Sequence, residues 1–218
     1  MSLIRMHQEH TLTTHRKAVD DAASIVGEMV FALAMYSSLR PASKRCSICY
    51  DDVYGNTTTS SIDGTICPSC FGTTYANGVK TINFTKATIG RAKHQQAMDG
   101  SKGQSEMMSS RCSILWPSDL NNKDYIIRVL SWEENSDSII HAKDIDVFKV
   151  VSSPVNTFLK DGLNPTGTSS SLMGQAFDIV RQAPDHPLRS VIWPGMPRKA
   201  IVSKQPFIYV PDWELEDI

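Results

Sequence analysis

The stretch CSICYDDVYGNTTTSSIDGTICPSC, Cys46–Cys70, contains four of the five cysteines of this 218-residue chain within twenty-five residues. Cys46 and Cys49 form one C-x-x-C pair, and Cys67 and Cys70 form a second, with seventeen residues between the pairs. This spacing is typical of a structural zinc site with four thiolate ligands. We therefore predict that Cys46, Cys49, Cys67 and Cys70 bind one Zn²⁺ per chain.

Residues beside the second pair suit a tight metal-binding turn. In CPSCFG, Pro68 presets the backbone of the turn, and Gly72 allows backbone N–H groups to approach the thiolate sulfurs. With four protein ligands the ion has no open position for water or substrate. The predicted site is therefore structural and does not activate a nucleophile.

Three other uses of two C-x-x-C pairs stay open at this point. A redox-active dithiol normally lies at a helix start in a βαβ context, which the sequence does not show. Two disulfides would require an oxidising compartment, but the N-terminal residues lack the apolar core and cleavage site of a signal peptide. An iron site with four cysteine ligands fits the spacing, although nothing adjacent indicates electron transfer.

The composition limits the remaining classes of protein. A hydrophobic fraction of 41% is normal for a globular core, and the net charge of -1 gives no general attraction to nucleic acid or an anionic membrane. The longest apolar run, Met29–Tyr36, is far shorter than the roughly 20 residues that span a bilayer. We expect a protein without membrane association that assembles in the cytoplasm.

An amphipathic pattern covers Arg16–Ser37, and it predicts an N-terminal helical segment within residues 1–40. Thr13 or Thr14 can cap the start of this helix, and Pro41 follows its end. Its apolar residues recur at the three- and four-residue spacing of one helix face. They are Val19, Ala22, Ala23, Val26, Met29, Val30 and Leu33.

The residue composition changes along the rest of the chain and divides it into segments. Together with the N-terminal helix, these segments predict an α+β fold. A zinc-ribbon-like module over 41–85 ends in a strand, VKTINFT, and residues 86–118 are rich in Gly, Ser, Gln and Met, which indicates a flexible linker. A small antiparallel β-barrel or sandwich is predicted over 119–195, and a proline-rich extended arm over 196–218. The predicted strands are DYIIRVLSW, IDVFKVVS, VNTFLK, AFDIVRQ, RSVIW and AIVSKQPFIYV.

The sequence shows no catalytic motif, so a binding or structural protein is favoured over an enzyme. The glycine-containing stretch Asp161–Gln175 lacks the lysine and following helix of a phosphate-binding loop, and it is interpreted as a long hairpin tip. Cys112 has no partner cysteine and is predicted to be a buried apolar residue. The histidines lie scattered along the chain, at His7, His10, His15, His94, His141 and His186.

The charge of the cysteine module argues against nucleic-acid binding. No lysine or arginine lies between Cys46 and Cys70, whereas three aspartates do. Four thiolates around one Zn²⁺ add about two net negative charges, so phosphate is repelled. The basic residues next to the module are expected to balance this charge; they are Arg40, Lys44, Arg45 and Lys80.

The motif CSICYDDVYGN followed by CPSCFGTTYANGVK resembles a C-x-x-C-[YW]-D-x-V-x-G and C-P-x-C-[YF]-G-T-x-[FY]-x-G-G-[YF] pattern of head-to-tail connector proteins of tailed bacteriophages, especially those of actinobacterial hosts. Downstream, KDYIIRVLSW, IDVFKVV, VNTFLKDG and LMGQAFDIVRQAPDHPL are similar in order to the barrel of such connectors. The resemblance covers about residues 40–195. Asn77-Gly78-Val79 departs from it, because the family usually has Gly-Gly-aromatic there.

The resemblance implies a structural virion protein, an adaptor or head-closure (stopper) protein in a ring beneath the portal. Its implied partners are further copies of itself and the portal, adaptor and tail proteins, with DNA passing through the lumen of the neck. The alternative from another class is a zinc-ribbon protein that binds nucleic acid and regulates transcription or replication. A thiol-dependent enzyme or chaperone is a third hypothesis.

Overall fold

The protein is α+β, with a long N-terminal helix, a large antiparallel sheet and a small cysteine module. The computed structural model describes residues 2–51, 56–57, 66–90, 93–99, 103–115, 120–134, 139–158, 172–191, 193, 196–197 and 207–209. Helix α1 spans Ser2–Val26, and a 3-10 helix spans Pro187–Ser190. The strands are β1 Glu28–Met35, β2 Tyr50–Asp51, β3 Asn56–Thr57, β4 Val79–Ile89, β5 Lys93–Asp99, β6 Gly103–Leu115, β7 Tyr125–Glu134, β8 Ile139–Val150, β9 Val155–Phe158, β10 Leu172–Arg181, β11 Met196–Pro197 and β12 Phe207–Tyr209.

The main sheet runs in the order β11-β8-β7-β1-β4-β6-β10-β9, with β12 beside β4 and β5 beside β6. Strand β10 also pairs with β8 through Ile179–Arg181, so the sheet curls until distant strands meet. This contact involves only three residues of β10. The prediction of a small separate barrel over 119–195 is therefore wrong, because β1, β4 and β6 supply the middle of one curled sheet.

The helix predicted over Arg16–Ser37 ends at Val26, and the second half of that segment is strand β1. The amide of Gly27 closes the last helical turn on the carbonyl of Ala23 at 2.7 Å. From Glu28 onwards the backbone pairs with β4 on one side and β7 on the other. An apolar run buried on both faces of a central strand has the same composition as a buried helix, which explains the wrong prediction.

The flexible linker predicted over 86–118 is also wrong for the described residues, because β4 extends to Ile89 and β5 and β6 lie within this range. Strands β5 and β6 pair from Lys93↔Ser109 to Asp99↔Gly103, and β6 then pairs with β10. The hydrogen bonds between these strands join backbone groups and do not depend on the side chains. A composition rich in Gly, Ser and Gln therefore gives no strand signal in the sequence.

Several strand predictions are confirmed for most of their residues: VKTINFT lies in β4, YIIRVLSW in β7, IDVFKV in β8, VNTF in β9 and AFDIVR in β10. RSVIW is not a strand, since Arg189 and Ser190 lie in the 3-10 helix. Of the proposed C-terminal arm, β11 pairs with β8 and β12 with β4. The remainder of 196–218 lies outside the described residues. Of the hairpin tip predicted over Asp161–Gln175, residues 161–171 also lie outside them, and residues 172–175 belong to β10.

Two apolar clusters lie on opposite faces of the sheet, and β1 contributes to both. Its odd-numbered residues, including Phe31 and Leu33, pack against β4, β7, β8 and Trp193. Its even-numbered residues Val30 and Ala32 pack with Cys112 on the other face. Cys112 is fully buried, as predicted, and burial raises the pKa of its thiol to about 12.

Helix α1 contacts the sheet through an ion pair with the buried Lys86 of β4. The Lys86 ammonium donates to Asp20 at 2.7 Å and to the Ser24 hydroxyl at 2.8 Å. The Lys86 side chain is 4% exposed and the Asp20 carboxylate is 45% exposed, so solvent screens one end of the pair. Within the described part of the chain, no helix is both long and apolar enough to cross a bilayer.

His186 makes the stability of the fold depend on pH. Its Nδ1 accepts from the Leu188 amide at 3.2 Å, and the ring is buried beside Tyr125. Burial lowers the pKa of His186, and the positive charges of Lys149 and Arg189 lower it further. The folded state therefore favours neutral imidazole. The contribution of His186 to the free energy of unfolding is fully present above its ordinary pKa of 6.5, and it is lost as the pH falls from there through the lowered pKa of the folded state.

We expect chemical denaturation to show that the free energy of unfolding falls between pH 7.5 and pH 5. The fall should be smaller in the His186→Asn variant. Asparagine keeps an acceptor for the Leu188 amide but cannot titrate. For this one proton the slope cannot exceed about 1.4 kcal/mol per pH unit. An unchanged slope in the variant would mean that other groups cause the pH dependence.

Candidate metal centre

The structure brings the four predicted cysteines into one buried cluster. The sulfur atoms of Cys46, Cys49, Cys67 and Cys70 all lie within 4.8 Å of one another, and the sulfurs of Cys49 and Cys70 are 3.2 Å apart. Each residue is at most 5% exposed. The predicted clustering is therefore confirmed, and its donor set of four sulfurs fits a tetrahedral, thiophilic metal ion.

The two C-x-x-C pairs adopt matching turns. The Tyr50 amide donates to the Cys46 carbonyl at 3.1 Å, and the Phe71 amide donates to the Cys67 carbonyl at 2.8 Å. In each pair the aromatic residue directly after the second cysteine thus closes a one-turn loop on the first. This repeated geometry directs the two sulfurs of each pair towards the same point.

Backbone N–H groups point at two of the sulfurs. Burial raises the pKa of Cys46, but hydrogen bonds from the Ile48 and Cys49 amides, together with those from the Cys49 and Cys70 thiols, outweigh it and bring the value to about 7. Burial raises the pKa of Cys70, while the amides of Gly72 and Thr74 oppose the rise. These donors favour thiolate, which is the form that binds metal.

Neighbouring thiols oppose full ionisation of the cluster. Burial raises the pKa of Cys49, and the adjacent Cys70 and Cys46 sulfurs raise it further. Four buried thiolates repel one another unless a cation lies between them. The cluster can therefore become fully ionised only together with a bound positive ion.

The second turn depends on left-handed backbone. Phe71 and Gly72 have φ values of 52° and 81°, which turns the Gly72 amide towards Cys70. Gly78 also has positive φ, 68°, and a Cβ atom there would lie 2.5 Å from the Cys70 carbonyl oxygen. Glycine at this position lets the start of β4 pack directly against the metal-binding turn.

Main-chain hydrogen bonds join the module to the sheet. Within the module, the Cys46 amide donates to the Thr74 carbonyl at 2.9 Å. The link to the sheet is the Tyr36 amide, which donates to the Gly78 carbonyl at 3.0 Å. Tyr36 directly follows β1. The position of the cluster relative to the main core is therefore fixed by backbone contacts.

The arginines next to the cluster make contacts within the fold. The Arg45 guanidinium lies 4.1 Å from the centre of the Tyr75 ring and 4.8 Å from that of Tyr50. Arg40 donates to the Asp124 carboxylate at 2.8 Å, and its side chain is 14% exposed. Both guanidinium groups are therefore engaged by side chains of the fold itself.

Asp124 is the residue at this site that sequence reasoning missed. Besides Arg40, its carboxylate accepts from the Met35 amide at 2.9 Å and from the Asn121 amide at 2.7 Å. Burial raises its pKa, and these donors oppose the rise. Arg40 and Asp124 are 84 positions apart, so no local pattern reveals the pair.

No protein-family model matches the chain, and a search of curated proteins likewise finds no match. Its function therefore has to be inferred from the residues themselves.

Proposed function

We propose that the chain is a structural, non-enzymatic virion protein that joins the head of a tailed bacteriophage to the tail. In this proposal copies of the chain form a ring in the neck, contact the portal, adaptor and tail proteins, and let DNA pass through the lumen. The proposal includes one structural Zn²⁺ per chain, bound by the four clustered cysteines.

The observation that carries the proposal is the agreement between the resemblance and the local geometry. The residues that the connector pattern shares with this chain have specific contacts in the cysteine module. Tyr50 and Phe71 close the two turns, and Gly72 donates to a sulfur. Gly78 permits the close approach of β4 to Cys70. These contacts give several of the shared positions a structural role, and this supports the proposal.

The chemistry of the donor set supports zinc in a structural role. Four cysteine sulfurs complete a tetrahedral shell, so water and substrate have no position on the ion. Backbone amide donors at Cys46 and Cys70 favour the thiolate form that a Zn²⁺ site with two net negative charges requires. A metal of this kind supplies folding free energy to a module too small for its own apolar core.

The contacts of the two arginines weaken the alternative of a nucleic-acid regulator. Arg45 lies against two tyrosine rings, and Arg40 is paired with a buried carboxylate. Phosphate binding would have to break these contacts, and residues 46–70 offer no lysine or arginine.

Native mass spectrometry of the purified chain, followed by mixing with the portal protein encoded by the same genome, tests the proposal. We expect one zinc per chain on a monomer or a closed ring, and an added ring on the portal in negative-stain electron micrographs. Salt-sensitive binding to DNA fragments without portal binding would favour the regulator instead.

A further inference from the structure

A cavity of about 380 Å³ lies between the second metal-binding turn and the start of β7. One wall comes from the turn itself, one from the residues that follow β1, and one from the loop at 121–124 with the end of β8. Polar groups make up much of its lining. These include Ser37, Ser38, Thr74, Asn122, Lys123 and Lys149.

The charges that line the cavity are unbalanced. Lys123 and Lys149 both line it, and neither forms an ion pair with a carboxylate in the part of the chain that the structure describes. The carboxylate that lines it, Asp124, is 4% exposed and already accepts from Arg40 and two backbone amides. Among the residues that the structure describes, the cavity therefore has positive charge without a matching acidic group.

The backbone at Lys123 gives an independent indication that this lysine is needed. Residues 121–124 form a turn in which the Asp124 amide donates to the Asn121 carbonyl at 3.1 Å. Lys123 is the third residue of the turn and has a φ of 81°, where glycine is the relaxed choice. Strained backbone of this kind is concentrated at ligand-binding and active sites.

We propose that this cavity binds a carboxylate side chain of an acidic peptide segment from a partner protein, with Lys123 and Lys149 as its cationic contacts. Ser37 and Asn122 supply neutral hydrogen-bond donors at the same cavity. A carboxylate suits this pair of lysines because each of its two oxygens can accept from one ammonium group. The inference does not depend on the connector proposal.

The probe is a fluorescein-labelled peptide, DWELED, which is the sequence of residues 212–217 of this chain. Fluorescence anisotropy with the full chain should show saturable binding that weakens at high salt. The amide peptide NWQLQN, which has the same shape without charge, should bind at least tenfold more weakly. Inorganic phosphate at the same concentration should not displace DWELED.

Lys123→Gly separates a binding role from a folding role. The glycine relieves the left-handed strain, so the melting temperature should stay the same or rise, while affinity for DWELED falls at least tenfold. Lys149→Gln should weaken binding similarly, and Lys143→Gln, at an exposed position six residues earlier on β8, should not. Equal binding of both peptides, full affinity in Lys123→Gly, or displacement by phosphate would each overturn the proposal.

Discussion

Replacing Cys67 with serine should abolish metal binding and unfold the cysteine module. The hydroxyl is a poor ligand for a thiophilic ion, and three sulfurs leave the coordination shell incomplete. Loss of a structural metal belongs to the few changes that cost more than about 4 kcal/mol. For a chain of this size such a loss lowers Tm by about 10 °C, and inductively coupled plasma mass spectrometry should report almost no zinc.

Cys112→Ala is the matched control, because it also removes a buried thiol but lies in the main core, outside the cluster. It should keep one metal per chain, with a moderate loss of stability from the missing sulfur. A chelator added to the unmodified protein should reproduce the effect of Cys67→Ser. If Cys67→Ser kept both its metal and its Tm, the cluster would not be a structural metal site.

Phe31→Ala should be the most damaging single change in the main core. The ring is fully buried, stacks on Trp193 at 5.6 Å and lies 5.1 Å from the ring of Phe84. Phe31 and Phe84 also lie directly opposite each other in the register of β1 and β4. Removing a buried phenyl ring typically costs about 3–5 kcal/mol, and urea denaturation measures this loss directly.

Leu130→Ala gives the comparison, since Leu130 is an apolar residue of β7 that is 54% exposed. The free energy of unfolding of this variant should stay within about 0.5 kcal/mol of that of the parent protein. Phe31→Leu should fall between the two, because leucine fills part of the volume without the aromatic contacts. A cost below about 1 kcal/mol for Phe31→Ala would show that the cluster around Trp193 rearranges to fill the space.

The cysteine cluster was predictable because its information is local. Two C-x-x-C pairs and the residues after them specify turns that form within a few residues, and the turns determine where the sulfurs lie. Gly72 was also identified in advance, because an N–H group close to a sulfur needs a backbone without a Cβ atom. The ion itself is a separate question, since four sulfurs fit more than one metal.

The sheet was less predictable because its information is spread along the chain. The run Met29–Tyr36 fits a helix or a buried strand equally well, and only pairing with β4 and β7 decides between them. The β5–β6 hairpin pairs through its backbone, so its Gly, Ser and Gln residues gave the wrong impression of a linker. The Arg40–Asp124 contact forms only in the finished fold, and neither local sequence contains a pattern that predicts it.

The central position of β1 also affects how the chain is made in the cell. β1 leaves the ribosome early, but β7 follows about a hundred residues later, as the Arg128–Glu28 ion pair illustrates. At roughly 5–20 residues per second, synthesis of that interval takes about 5–20 s. Both edges of this apolar strand are unpaired until β4 is made, and one edge stays unpaired until β7 is complete, so the nascent chain is open to mispairing during this time.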